Sequence, residues 1–434
     1  MDADLKLTYG SPRWTGELLD CSMPMTFDTY NKCSYDCLYC FSYFQKSHSL
    51  GKKDEETRAV KGDYHTQIEL TSVNPKKTID LFEGKTNLSF NAYIKQKKVM
   101  QWGGLADQFD NNEKRQGVTL ALLKYFKSIN YPLCFSTKAT WWLDDSRYTD
   151  LVKGQDNWNC KFSIINLDKG RASKMEQGVE SPMKRIEAIK KYSSLNKGGA
   201  TLRLRPFIIG FSDRNDEYLE LIKLAHEAGA TAVSTEFFCL ETRADANLKE
   251  RYRRMSEICG FDVYDFYKKN SVGAGYRRLN YDIKIPYVNK MQELCKKLGM
   301  RFYVSDAHLK ERCANGSCCG LSPEWNYSRG QFTEAIVIAR RKGEVRFSDI
   351  EKDMQMYKDI PYGSDGFNTS TSQNRVKRRK QSMYDYIREK WNTPNAGTSP
   401  YKYFSGMLEP IGLDKEKNVI YRFNKEKFDA SKLK

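Results

Sequence analysis

No run in this 434-residue chain approaches the ~18 to 20 consecutive apolar residues needed to cross a bilayer as a helix. A helical membrane protein is thereby excluded. The first ten residues, MDADLKLTYG, lack the basic-then-apolar layout of a secretory signal, so a cytoplasmic protein with no membrane partner is expected. No repeat of fixed period is visible, which argues against a solenoid. In a reducing compartment disulfides are rare, so the twelve cysteines are expected to serve as metal ligands, reactive groups or core residues. The chain does have a core and positive charge. With 40% hydrophobic and 13% aromatic residues it can bury one large domain plus a smaller one. A formal charge of +17 favours a polyanionic partner, DNA or RNA, over a merely basic, soluble surface.

Apolar runs and amphipathic stretches alternate over the first three quarters of the chain, as repeated strand-then-helix units of an α/β fold do. The pattern predicts strands over 23–29, 98–102, 133–137, 161–165, 201–209 and 232–238, with a possible seventh over 301–305. Helices are predicted over 117–129, 182–195, 216–228 and 286–298, the last two closed by Gly229 and Gly299. Three regions follow: 1–310 with a polar insertion at about 47–97 read as a surface excursion or lid, a cysteine-containing extension at 311–368, and a basic helical tail at 369–434.

Cys33, Cys37 and Cys40 form C-x3-C-x2-C with Tyr39 just before the last cysteine. Three thiolates can ligate three irons of a cubane and leave the fourth iron open to a small molecule. Zinc usually needs a second close ligand pair, so a zinc site or three incidental cysteines are the weaker readings. Farther on, His308, Cys313, Cys318 and Cys319 suffice for zinc or for part of a second iron–sulfur cluster. A redox or hydrogen-donor thiol, or simple packing, are the alternatives there. Cys160, Cys259 and Cys295 read as core residues, and His65 and His226 as surface or structural groups.

At Cys33, Cys37 and Cys40 the sequence resembles the radical S-adenosylmethionine (SAM) superfamily. That resemblance implies a partial (β/α)6 TIM-like barrel over roughly residues 20 to 310. It also implies a [4Fe–4S] cluster, SAM bound to its open iron, and an electron donor such as flavodoxin or ferredoxin. The blocks Gln101 to Phe109, Ser136-Thr137-Lys138 and Leu202 to Pro206 look like the spore photoproduct lyase and DNA-repair-photolyase-like branch. On that likeness Gly103, Gly104, Asp107, Lys138, Ser163, Arg203 and Arg205 are the cofactor-binding candidates, with backbone carbonyls near the glycines set against the SAM amino group. A tight turn is the plainer reading of the glycine pair. Arg203 and Arg205 share one face of their strand, to bind the SAM carboxylate or a substrate phosphate, or else to pair with Asp107 or Glu236.

The chain departs from the lyase pattern in two places. The stretch Gly103-Gly104-Leu105-Ala106-Asp107 has no hydrogen-donor cysteine, and Phe41 stands where the family has tyrosine. Tyr39, Cys134 and Cys239 are the remaining candidates for a catalytic role. The resemblance and the charge together point to an enzyme acting on a nucleic-acid base, in repair or in rearranging a hypermodified base such as those of viral DNA. A peptide-modifying radical SAM enzyme with an auxiliary cluster, or a non-catalytic iron–sulfur sensor that binds nucleic acid, are the alternatives. Arg375, Lys377, Arg378, Arg379 and Lys380, followed by Tyr384, Tyr386 and Trp391, are expected to grip a phosphate backbone and stack on bases.

Overall fold

The computed structural model describes residues 5–8, 12–15, 21–50, 62–86, 90–272, 276–329, 332–362 and 381–432. Its main sheet begins with β1 (Arg13–Trp14) and β2 (Met25–Phe27). The two-residue β3 (Asp36–Cys37) leads into helix α1 (Phe41–Leu50). Then come β4 (Met100–Trp102), α2 (Val118–Ser128), β5 (Leu133–Thr137), β6 (Trp158–Ser163), the short β7 (Glu176–Gln177) and α3 (Pro182–Leu195). They are followed by β8 (Ala200–Phe207), α4 (Glu217–Glu227), β9 (Ala230–Phe237), α5 (Ala246–Cys259), α6 (Tyr281–Lys297) and β10 (Arg301–Val304).

Eight strands pair in the order β10-β9-β8-β6-β5-β4-β2-β1, parallel except for the antiparallel edge strand β1. Among the described residues no pairing joins β1 to β10, so the sheet is open at both edges. Every residue of β5 and β6 is buried, as expected for central parallel strands covered on both faces. Local chemistry sets the helix ends. Ser181 caps α3 by accepting from the Lys184 N–H, with Pro182 at the first helical position.

All seven predicted strands are present, 133–137 with its predicted bounds and the other six with shifted ends, and α3 also matches its predicted bounds. Helix α6 differs, starting at Tyr281 with Pro286 inside it rather than at its first turn. The insertion at about 47–97 is not just a surface excursion. Thr71–Val73 pairs in parallel with Lys6–Thr8, and Val73, Leu81, Phe82, Phe90, Tyr93 and Ile94 pack into the main core. Short helices set among many Lys, Asp and Thr residues hid that burial, although Pro75–Phe82 buries Thr78, Leu81 and Phe82 at helical spacing.

Beyond the sheet lie α7 (Phe332–Lys342), β11 (Glu344–Val345), α8 (Phe347–Met354), α9 (Met383–Trp391), β12 (Leu408–Leu413) and β13 (Val419–Phe423). Their three strands form an antiparallel sheet in the order β11-β13-β12. Trp391 locks α9 to this sheet: its indole donates to the Val419 carbonyl at 2.7 Å and its own carbonyl accepts from the Tyr421 hydroxyl at 2.6 Å. Trp391 and Tyr384 are buried, so the stacking role expected of them is withdrawn, leaving half-buried Tyr386. Residues Arg375 to Lys380 lie outside the described residues.

Candidate active site

The segment between β2 and α1 carries Cys33, Cys37 and Cys40, and it is held from several sides. Its middle forms a ladder, β3 pairing antiparallel with β7 so that Cys37 lies opposite Glu176. The Leu38 N–H donates to the Met175 carbonyl at 2.9 Å, and the Cys40 N–H turns back to the Cys37 carbonyl at 3.0 Å. Ahead of the ladder, the Cys33 N–H donates to the Tyr64 hydroxyl at 2.6 Å and the Ser34 N–H to the Asp110 carboxylate at 2.5 Å. From α5, Arg251 donates to the Cys37 carbonyl at 2.5 Å and the Leu38 carbonyl at 3.2 Å. The same guanidinium pairs with Asp36 at 2.7 Å and stacks on Tyr43 at 4.2 Å. Hydrogen bonding from His65 and the Arg251 charge hold the Asp36 carboxyl below its usual range.

All three cysteines are free and face one cavity of about 580 Å³ at the carboxyl ends of the sheet strands. Burial raises the Cys33 thiol well above its ordinary pKa and the Cys37 thiol to about 12. Thiolates at these positions therefore need a strong positive partner, which a metal cluster supplies. Among the described residues, no three Cys, His, Asp or Glu side chains converge on a point that one ion would occupy. A cubane does not require such convergence, because each thiolate binds a different iron.

Opposite the cysteines, side chains of one strand parity form the cavity wall: Ser136 of β5 and Lys138 just after it, Ser163 of β6, Arg203 and Arg205 of β8, and Glu236 of β9. Arg205 forms an ion pair with Glu236. Arg203 reaches only the Ser163 hydroxyl, at 3.4 Å, and among the described residues has no carboxylate partner. Burial, followed by the repulsion of Arg205, lowers its pKa to about 10. The Ser136 hydroxyl is buried in this wall with no hydrogen-bond partner. A guanidinium with no carboxylate partner and an unsatisfied hydroxyl lining the same cavity suit an anionic, hydrogen-bonding ligand.

The chain is similar to radical SAM enzymes. Spore photoproduct lyase complexed with dinucleoside spore photoproduct shares 14% identity over 70% of this chain and 80% of that one, with a TM-score of 0.45. Streptococcus suis SuiB bound to precursor peptide SuiA shares 13% over 67% of this chain and 51% of that one, with a TM-score of 0.39. The cobalamin-dependent S-adenosylmethionine radical enzyme OxsB shares 10% over 86% of this chain and 48% of that one, with a TM-score of 0.28. No protein-family model and no curated protein matches the sequence.

Gly103 and Gly104 line the cavity, but the glycine at 103 answers to the fold. Its φ is +84°, and a Cβ there would fall 2.0 Å from Gln108 Oε1. Asp107 also lines the cavity, yet its carboxylate already accepts from the Thr137 hydroxyl at 2.8 Å and the Lys138 N–H at 2.6 Å. Burial acts to lower the Lys138 pKa, and the acids of Cys37 and Glu176 outweigh it and hold the ammonium above its ordinary value. That ammonium sits 5.6 Å over the Tyr39 ring. Tyr39 gives its hydroxyl hydrogen to Glu176, which is itself ion-paired with buried Arg185 at 2.7 Å. Tyr39 thus braces the cysteine loop.

The other cysteines separate. Cys239 lines the cavity with its thiol 3.5 Å from the Phe237 carbonyl, whereas Cys134 is fully buried against Asn159 at 3.5 Å and does not reach the cavity. Cys318 and Cys319 line the cavity with sulfurs 3.8 Å apart. The Cys318 thiol's hydrogen bond, together with the nearby Lys161 charge, brings Cys319 down to about 7. Cys313 turns away to the Val304 carbonyl at 3.2 Å, and the side chain of His308 lies outside the described residues. The expected four-ligand second centre is not assembled among the described residues, because the backbone between Cys313 and Cys318 directs their sulfurs to different neighbours.

Arg251, Glu176, Arg185, Tyr64 and Asp110 escaped the sequence reading. Each is brought to the cysteine loop by tertiary contact, and nothing in its local sequence marks it.

Proposed function

We propose that this protein is a radical SAM enzyme acting on a nucleic-acid base, in repair or in base modification, and that its open eight-stranded sheet is the partial (β/α)6 barrel of that class. The carrying observation is that Cys33, Cys37 and Cys40, at a spacing suited to three irons, face one cavity opposite a half-buried guanidinium that has no carboxylate partner among the described residues. Cys33, Cys37 and Cys40 would hold the [4Fe–4S] cluster, and Arg203 with the Ser136 hydroxyl would take the SAM carboxylate or a substrate phosphate. When bound and reduced by a flavodoxin or ferredoxin, such a cluster supplies one-electron cleavage of SAM, the source of the radical.

The chain's own residues provide the setting. Arg251, Tyr64 and the β3–β7 ladder fix the cysteine loop, so the ligands keep their positions without the mobility usual in loops. Phe41, Phe44, Phe237, Phe238 and Tyr252 give the cavity apolar, aromatic walls that exclude water and accept a planar base. A base inside a duplex cannot reach these walls, so the target nucleotide is flipped out or single-stranded. Anaerobic reconstitution followed by SAM and reductant tests the reading: wild-type protein should bind iron and release 5′-deoxyadenosine, with turnover stimulated by nucleic acid. Absence of a cluster in wild-type protein after reconstitution would overturn it.

A further inference from the structure

The cavity holds sulfur at two levels. Cys33, Cys37 and Cys40 stand at the carboxyl ends of the strands, whereas the segment carrying Cys318 and Cys319 reaches the cavity from the amino ends, where Gly320 packs on Thr201, the second residue of β8. The φ of Gly320 is +82°, and a Cβ there would fall 2.3 Å from Thr201 Oγ1. Hydrogen bonds fix the segment on both sides. The Ser234 hydroxyl donates to the Cys318 carbonyl at 2.8 Å, and the Cys319 N–H donates to the Ser317 hydroxyl at 3.1 Å. Tyr303 and Asn315 hold the Leu321 carbonyl at 2.6 and 2.8 Å. The two sulfurs are thereby kept on the cavity wall, 3.8 Å apart. A cation stands beside them. Lys161 of β6 is 2% exposed, registers with Ser136 of the cavity wall, and has no carboxylate partner among the described residues. Cys319 lies within reach of its charge and of that of Arg203. A buried ammonium without an acid is costly, and a thiolate beside it offsets that cost.

We propose that Cys318 and Cys319 act as one hydrogen-atom donor: Cys318 gives its S–H hydrogen to a carbon-centred radical held in the cavity, and the adjacent Cys319 sulfur shares the electron vacancy left behind. This rests on the reading of the cavity as the place where SAM is cleaved. The S–H bond breaks and a C–H bond forms, so the carbon radical is quenched and the unpaired electron passes to sulfur. An S–H bond is weaker than the C–H bond it makes, so the transfer runs downhill. The Cys318 thiyl and the Cys319 thiolate then join through three electrons and carry one negative charge between them. One electron from the flavodoxin- or ferredoxin-class donor and one proton from solvent restore the thiol and the thiolate. No closed disulfide is required. Neighbouring residues hold their Cα atoms about 3.8 Å apart, inside the ~4.4–6.8 Å of an ordinary disulfide, which keeps the pair open between turnovers. Cys239 lines the same cavity but faces the Phe237 carbonyl at 3.5 Å.

The test uses full-length reconstituted protein with SAM and dithionite in heavy water, without small thiols or nucleic acid, and reads deuterium in the 5′-deoxyadenosine by mass spectrometry. Thiol hydrogens exchange with solvent and carbon-bound hydrogens do not. Wild-type protein should therefore give mostly singly deuterated product, and Cys318→Ala with Cys319→Ala mostly unlabelled product, in whatever amount forms. Cys318→Ser and Cys319→Ser, each close to cysteine in size, serve if the double variant unfolds, and each should lose most of the label. A second measurement needs no SAM: in cluster-free protein Lys161→Gln should slow alkylation of Cys319 by iodoacetamide severalfold, read on the peptide mass. Wild-type labelling in the cysteine variants would overturn the proposal while SAM cleavage stands, as would label that vanishes in Cys239→Ala instead. An unchanged alkylation rate in Lys161→Gln would overturn the part given to Lys161. Wild-type protein that binds a cluster yet releases no 5′-deoxyadenosine would overturn the underlying reading and this one with it.

Discussion

Replacing Arg251 should loosen the cysteine loop without touching a cysteine. Its side chain is 8% exposed and reaches Cys37 O, Leu38 O, the Asp36 carboxylate and the Tyr43 ring at once. Charge-assisted hydrogen bonds contribute ~1.5–3 kcal/mol each, and removing one partner of a buried pair costs ~3–5 kcal/mol. Asp36 is one-third exposed and keeps His65 at 3.1 Å, so the low end applies to Arg251→Gln, about 3 kcal/mol. If that falls on the loop alone, its opening equilibrium rises roughly 100-fold. Arg251→Lys keeps the charge but cannot fork to three acceptors. Iron per chain after anaerobic reconstitution and desalting should fall steeply in Arg251→Gln and partly in Arg251→Lys. The reduction potential separates charge from shape. Loss of a nearby cation disfavours the reduced cluster, so it should drop in Arg251→Gln, each 59 mV marking a tenfold change for one electron, and stay near wild type in Arg251→Lys. Arg251→Gln protein with wild-type iron content, potential and urea midpoint would refute the reasoning.

Changing Cys33, Cys37 and Cys40 together to Ala should abolish iron binding and 5′-deoxyadenosine release, measured by iron assay and chromatography. Trp391→Ala should destabilise the C-terminal module by ~3–5 kcal/mol in denaturant unfolding while SAM cleavage continues. Burial, foremost, pushes the Asp110 carboxyl up to about 6. Between pH 4 and 6 the folded protein therefore retains a proton that the unfolded chain has released, and stability falls as pH rises across that window, by about 3 kcal/mol in all. Asp110→Asn should remove that slope in urea titrations. Changing Arg375, Lys377, Arg378, Arg379 and Lys380 to Gln should flatten the salt dependence of nucleic-acid binding by about 0.9 per lost duplex contact, or about 0.7 on a single strand, and leave uncoupled SAM cleavage intact.

The sequence by itself determined what is encoded locally. Eight consecutive residues suffice to place Cys33, Cys37 and Cys40 at cubane spacing, and runs such as Leu133–Thr137 announce buried parallel strands through their apolar composition. Caps did the same for α3, where Ser181 and Pro182 sit beside the residues they cap. Only the tertiary structure decided which distant groups meet. Arg251 lies 214 positions from Cys37, and Glu176 lies 137 from Tyr39. Those contacts depend on how strands stack, and no local period records them. The same limit explains the errors: Cys313 and Cys318 are near in sequence, yet the turn between them sends one sulfur to β10 and the other to the cavity. Likewise Trp391 reads as an aromatic on a basic tail until the pairing of β11 with β13, across more than seventy residues, makes it the centre of a small core.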